Sequence, residues 1–292
     1  MVRTRFVCVS DTHGYSTEDA AFKLPKGDVL IHAGDITNKG TVKELDRSFK
    51  WILEADFETK IIIAGNHDLL LDPKYNGNSE LPLKERYWEM MVKFTADRSK
   101  SRIIYLNHEA EEIRLTNPNG PRTAFRVFGS PYSPQLKNWG FGYCPEQGKT
   151  LWSDIPLDTD IVVTHTPPAG HLDAAKGKSV GCEHLRRRLW EVRPRLAVCG
   201  HIHESRGYHR VRWSSVPHEE CETKIGHLPD CQSRKQSTID LCRKMENHLD
   251  NNGSEKNETC IVNAAIMATS WPHEGGKKFN SPIVVDLDLP QG

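Results

Sequence analysis

The chain predicts an α/β layered fold, because short apolar runs keep ending in loops or helices. Over the first 70 residues, strand-like runs alternate with loops and one helical stripe. In the middle, three strand-like runs lie close together. The turn Asn117-Pro118-Asn119-Gly120-Pro121 separates the last two, as in a hairpin within a mixed sheet. Further on, 160–164 and 195–199 return to the buried-strand type, with a helical stripe between them.

Taken in order, 5–9 reads as the first strand and 28–32 as the second, ending at Ala33-Gly34-Asp35. A helix should follow. Thr41 and Glu44 have capping-box spacing, and Leu45, Phe49 and Ile52 form an apolar stripe. Residues 60–64 are β-branched and apolar and read as a central strand that stops at Gly65. Leu83, Tyr87, Met90, Met91 and Phe94 suggest an amphipathic helix. The three middle strands span 102–106, 111–115 and 123–128. Leu185, Leu189 and Val192 stripe a helix that Pro194 terminates. Residues 208–213 alternate like a half-exposed strand, and 260–265 and 282–287 supply two closing strands.

Residues 218–258 are unlike the rest. They are rich in Glu, Lys, Asn, Asp and Cys and poor in large apolar residues. They read as a polar, mobile insertion in a loop of one domain over 1–292, within which 236–249 could form a surface helix.

Composition narrows the function classes. The 292 residues carry 39 Lys plus Arg and 39 Asp plus Glu, so the formal net charge is zero. A polyanion is not favoured as partner. The best basic patch, Arg186, Arg187 and Arg188, reads as a solvated helix face or a ligand contact. The apolar run Phe6-Val7-Cys8-Val9 is too short for a secretory core, and no stretch reaches the length of a membrane span. Cys8 and Cys199 sit in strand-like runs and read as buried thiols. The spacing of Cys221, Cys231, Cys242 and Cys260 fits no zinc pattern. A reduced, cytoplasmic setting is expected, where the sequons at Asn252 and Asn257 would be idle.

Chemistry concentrates where strand-like runs end. Asp11 and His13 follow the first, Asp35 the second, and Gly65-Asn66-His67-Asp68 the third. His165 follows the 161–164 run, and Gly200-His201-Ile202-His203 follows the 196–199 run. In open α/β sheets the ligand site lies beyond the carboxyl ends of the strands, so these side chains can meet in one cleft. Two divalent ions about 4 Å apart need hard oxygen ligands and imidazoles, with one carboxylate between them. Asp35 stands alone on its strand end and is the natural bridge. Asp-x-His and His-x-His spacings put both side chains on one side of an extended segment. The glycines at 34, 65 and 200 permit sharp turns after strands. Each motif alone could be a surface turn; their ordered conjunction carries the reading.

These five blocks resemble the calcineurin-like metallophosphoesterase family. Gly129-Ser130-Pro131-Tyr132-Ser133-Pro134, His165-Thr166-Pro167-Pro168 and Asn263-Ala264-Ala265 are similar to its small branch of metallophosphoesterase-domain-containing proteins. The resemblance covers 4–216 and 260–288. It implies a four-layer α/β/β/α sandwich of two mixed sheets flanked by helices. It implies one metal held by Asp11, His13, Asp35 and His203, and another by Asp35, Asn66, His165 and His201. Mn²⁺ is the preferred ion, with Fe or Zn as alternatives.

The implied activity is phosphodiester hydrolysis of a small or nucleotide-like substrate, by attack of a hydroxide between the metals. His67 is the candidate acid for the leaving alkoxide, with Asp68 either orienting it or only closing the turn. Asn38 and Glu204 sit beside the metal blocks. Tyr132, Trp139 and Phe141 are candidates for contacting substrate, or for a satellite core under their loop. His171 and Asp173 could rim the same cleft. Alternatives within the same reading are a phosphomonoesterase or protein Ser/Thr phosphatase, a metalloenzyme using Lewis acidity on a non-phosphate substrate, and a non-catalytic metal-bound scaffold.

Overall fold

Alternation along the strands decides the layers. Phe6 and Cys8 point one way from the first strand and Val7 and Val9 the other, and each pair joins a different apolar cluster. A strand buried on both faces must lie between two covering layers. The computed structural model describes residues 1–19, 21–74, 102–216, 218–226, 228, 237–242, 257–270 and 272–292. The expected helix striped by Leu83 to Phe94 lies outside the described residues.

The elements run β1 (Val2–Val9), β2 (Val29–Ala33), α1 (Val42–Glu54), β3 (Thr59–Ile63), β4 (Arg102–Tyr105), β5 (Glu109–Arg114) and β6 (Ala124–Ser130). Next come β7 (Ser133–Pro134), β8 (Gly142–Tyr143), α2 (Gly148–Ser153), β9 (Ile161–Thr164), β10 (Ala174–Ala175), β11 (Lys178–Ser179) and α3 (Glu183–Val192). The chain closes with β12 (Leu196–Cys199), β13 (Gly207–Trp213), β14 (Glu220–Gly226), β15 (Ser237–Asp240), β16 (Glu258–Asn263) and β17 (Ile283–Leu289).

Two mixed sheets result. One has the order β15-β17-β1-β2-β3-β4 and the other β14-β13-β16-β12-β9-β6-β5. Between them lies a core built from alternate residues of each: Phe6, Ile31, Ile61 and Val285 on one side, Val127, Val163, Val198 and Val262 on the other. On the outer face of the first sheet, Leu45, Phe49 and Ile52 of α1 pack on Val7, Leu30 and Ile62. On the outer face of the second, Trp152 of α2 and Leu185, Leu189 and Val192 of α3 pack on Val162, Ala197 and Ile261. This is a four-layer α/β/β/α sandwich. The capping box forms: Thr41 accepts from the Glu44 amide, and the Glu44 carboxylate accepts from the Thr41 amide at 3.1 Å. No helix among the described residues is long and apolar enough to cross a membrane.

The polar stretch 218–258 is corrected in part. A surface helix was expected over 236–249, yet Ser237–Asp240 is a strand that adds to β17 in parallel. Its burial has period two, with Ser237 and Ile239 inside and Thr238 and Asp240 exposed. Ile239 joins the inter-sheet core, and Leu241 packs against it. Upstream, Glu220–Gly226 pairs antiparallel with β13.

Candidate metal centre

Parallel pairing sets the site. β1, β2 and β3 are parallel neighbours, as are β9, β12 and β16, so their carboxyl ends lie along one edge of the sandwich. The turns that leave them are tight. Asp11, His13, Asp35 and His201 all have positive φ, between 46° and 67°, where a non-glycine residue is strained. Backbone bonds hold them there. The Asp11 amide donates to the Gly34 carbonyl at 2.9 Å, and the His13 amide donates to the Asp35 carbonyl at 3.0 Å. The His201 amide donates to the Asp11 carboxylate at 3.0 Å.

Of the three glycines expected to turn the chain, only Gly34 has a positive φ, of 95°. Gly65 and Gly200 serve close approach instead: a Cβ on Gly200 would lie 2.2 Å from Asp11 Oδ2, and one on Gly65 2.4 Å from Asp35 Oδ1.

The side chains converge in three groups whose ligand atoms lie within 4.8 Å of one another: Asp11, His13 and His203; His13, Asp35 and His67; and Asp35, His165 and His201. His165 Nε2 is 3.0 Å from Asn66 Oδ1 and 3.4 Å from Asp35 Oδ1. His203 Nε2 is 3.1 Å from His13 Nε2 and 3.4 Å from Asp11 Oδ1. His13 Nε2 is 3.8 Å from Asp35 Oδ2. Asp35 thus touches both halves.

The tautomers suit a cation. His165 Nδ1 faces the Ala33 carbonyl at 3.0 Å, and His203 Nδ1 faces the Thr269 carbonyl at 3.1 Å. Opposite a carbonyl only a protonated nitrogen bonds, so each neutral ring turns the lone pair of Nε2 inward. Asp35 keeps a second proton on His165 in the absence of an ion; once an ion displaces it, Nε2 and the oxygens of Asn66 and Asp35 meet as three acceptors around one point. The clustered His and Asp residues therefore have the donor set for one or two divalent ions.

Charge follows from the same crowding. Burial opposes ionisation of Asp35, but His165, His67 and His13 outweigh it and hold its carboxyl well below the ordinary range. Burial likewise opposes the charge of Asp11, and His203 draws it down to about 2. Burial pushes His13 down to about 3 and His201 to about 4. His165 goes the other way, to about 9, because Asp35 outweighs its burial.

Around this set, several expectations change. His67 reaches into the cleft, but its ring is held by the backbone carbonyl of Asn38, 2.6 Å from Nδ1, and not by Asp68. The Asp68 carboxylate is buried and accepts from the amides of Ile36, Thr37 and Gly65 and from the Thr37 hydroxyl, so it fastens the turn. Trp139 stacks on His67 with ring centroids 3.9 Å apart and 30° between planes. Phe141 is 2% exposed and belongs to the core beneath its loop, which removes it from substrate contact. Half-buried Tyr132 packs edge-on to Phe141 and His108.

His171 and Asp173 do not rim the cleft. His171 is buried between His209 and Glu220. Asp173 pins its own loop by accepting from the amides of Gly170 and Gly181 and from the Ser179 hydroxyl. Glu204 is exposed, and it is the Thr269 carbonyl that faces His203 Nδ1. The Arg186 to Arg188 run is paired rather than free: Arg186 with Glu220, Arg187 with Glu183, Arg188 with Glu191.

Sequence reasoning missed Asn263 as a support. Its amide donates to the carbonyls of Ile202 and Leu172 and so holds the His201–His203 turn. Behind the first ligand turn, Thr12 Oγ1 and His32 Nε2 lie 3.0 Å apart.

The Calcineurin-like phosphoesterase family matches residues 4–205. Metallophosphoesterase domain-containing protein 1 of Homo sapiens is 38% identical over 216 residues, which is 70% of this chain and 62% of that protein. The Mus musculus protein of the same name matches equally. Probable rhamnogalacturonate lyase C of Emericella nidulans is 38% identical over 235 residues, 79% of this chain but 19% of that protein. The chain thus spans less than two thirds of the length of these relatives. With its two-sheet sandwich and its Asp and His clusters at the strand ends, the chain belongs to the calcineurin-like phosphoesterase family, and it is similar to the metallophosphoesterase-domain-containing proteins.

Proposed function

We propose that this chain hydrolyses phosphoesters with two divalent ions, and that its substrates are small or nucleotide-like phosphodiesters. One observation carries this reading: Asp35 lies within ligand range of His13 on one side and His165 on the other, at the junction of two donor sets. Asp11, His13, Asp35 and His203 would hold one ion, and Asp35, Asn66, His165 and His201 the other. Mn²⁺ is the first choice for assay, with Fe or Zn as alternatives, because these ligand types do not separate them. Such ions supply Lewis acidity to the phosphoryl oxygens and make hydroxide available near neutral pH.

The chain's own part is positional and protonic. The Ala33 and Thr269 carbonyls fix the ligand imidazoles. His67 carries the proton for the leaving alkoxide at Nε2, since Nδ1 is committed to Asn38. The same reading sets the chain in a reducing, cytoplasmic compartment, where its free cysteines would stay as thiols. The lyase in the name of the fungal relative is not carried over, since the match covers only 19% of that protein.

The test is metal analysis of protein purified without chelator, followed by parallel assays of an aryl phosphodiester and the matching monoester with Mn²⁺. About two equivalents of metal and faster diester turnover are expected. Faster monoester turnover would make it a phosphomonoesterase. Bound metal with only trace turnover of both would point to non-phosphate chemistry or a scaffold.

A further inference from the structure

We infer that Trp139 is a positioning residue: its indole holds the His67 ring so that the Nε2 edge faces the leaving group. This rests on the reading of His67 as the acid. A ring tied only at Nδ1 can still swing about that bond, and among the described residues the tie of the His67 ring is the Asn38 carbonyl. Among the described residues, two ring contacts restrict that swing. His13 meets His67 edge-on, with centroids 4.7 Å apart at 84°, and Trp139 stacks on it at 3.9 Å and 30°.

Trp139 is itself placed by the turn it serves. The Gly140 amide donates to the Asn66 carbonyl at 3.0 Å, and the Phe141 amide donates to the Asp72 carboxylate at 2.8 Å. Phe141 then anchors in the core, and β7 pairs with β8 to close the loop. The loop and the 65–72 turn therefore form one unit, with the indole on its cleft side.

Its exposure sets Trp139 apart from the packing tryptophans. It is 37% exposed, whereas Trp152 is fully buried and Trp51 is 4% exposed. An exposed indole stacked on a histidine contributes little to the core. Truncating it should therefore disturb the ring more than the fold. Misplacing a reacting group by about 1 Å costs on the order of a hundredfold in rate.

The experiment compares Trp139→Ala, Trp139→Phe, His67→Ala and the double variant Trp139→Ala/His67→Ala. In Trp139→Ala, kcat for a diester with a poor alkyl leaving group should fall about tenfold to a hundredfold. KM, bound metal and turnover of an activated aryl diester should stay near wild type. Trp139→Phe should recover most of the loss. In the His67→Ala background, removing Trp139 should cost nothing further. A readout independent of activity comes from NMR of the metal-free protein. The ring protons of His67, identified by their loss in His67→Ala, should leave the indole's shielding in Trp139→Ala. A rise in KM alone, losses that multiply in the double variant, or unmoved His67 signals would each overturn the inference. If wild type shows no metal-dependent hydrolysis, the parent reading fails instead, and the NMR comparison still decides whether Trp139 sets the ring.

Discussion

The backbone carbonyl of Asn38 lies 2.6 Å from Nδ1 of His67 and fixes which nitrogen of that ring can face a substrate. A carbonyl accepts only from a protonated nitrogen, so Nε2 is the edge left for chemistry. Replacing His67 with Ala should therefore slow hydrolysis of esters with poor leaving groups by about 100- to 10,000-fold. Activated aryl esters, which need no acid, should be far less affected, and metal content should hold. Equal slowing across a leaving-group series would remove His67 as the acid.

Asp68 should behave differently from its neighbour. Its carboxylate is fully buried and accepts from three backbone amides and one hydroxyl. Asp68→Ala would leave those donors unpaired, at about 1–3 kcal/mol each where no water enters. The expected result is a clear drop in urea midpoint together with weaker metal retention, since Asn66 sits in the same turn. A variant of wild-type stability that shows only the leaving-group signature of His67→Ala would reinstate Asp68 as the partner of that ring.

Much of this architecture was legible from residue types. Strand faces could be read because Phe6, Cys8, Ile31 and Val163 alternate or run together in ways only a doubly covered sheet accommodates. The convergence of Asp11, Asp35, Asn66, His165 and His201 could be read because each follows an apolar run. What stayed hidden has a common cause. The Asn38, Ala33 and Thr269 carbonyls orient the imidazoles through backbone atoms, which every residue type carries. Closeness in sequence misled at His171 and Asp173. Beyond Pro167-Pro168 the chain departs from the cleft toward β13 and β14, where His171 meets His209 and Glu220. Polar composition misled at Ser237–Asp240, where strand pairing overrode local preference.

Glu220 supplies a pH prediction away from the metal site. Burial opposes its charge, but His171, Thr223 and Arg186 outweigh it and bring the carboxyl down to about 2. The unfolded value is about 4.3. The folded state therefore binds fewer protons in this interval, and stability rises with pH through it. The contribution is complete above the unfolded value and is lost as pH falls toward 2. Wild type should exceed Glu220→Gln in urea stability by a constant margin from neutral pH down to about 5, and the margin should shrink below about 4. A margin unchanged at low pH would mean that the residue's shape matters there, not its charge.

Metal removal offers the most direct test of the cleft. Without a cation, the inward Nε2 of His165 faces the oxygens of Asn66 and Asp35, and His203 Nε2 faces His13 Nε2 at 3.1 Å. An ion that displaces the proton from His165 gains these donors already gathered in the folded state, and the unfolded chain has no such site. Binding should therefore stabilise by RT ln(1 + [L]/Kd), about 2.7 kcal/mol at a hundred times Kd. For a chain of this length that is a rise of several degrees in Tm. Chelator-treated protein should melt lower than untreated protein, and Mn²⁺ should restore the difference in proportion to the logarithm of its concentration. Asp35→Asn keeps the shape and an acceptor for the His67 amide but halves the negative charge that Asp11 and Asp35 bring to the site. It should fold, and its Tm should respond to Mn²⁺ only at far higher concentration. His165→Ala should lose one of two equivalents of bound metal while keeping the other on Asp11, His13 and His203. An Asp35→Asn protein with an undiminished Mn²⁺ response would mean that the stabilising ion binds elsewhere, and the two donor sets would then not share this carboxylate.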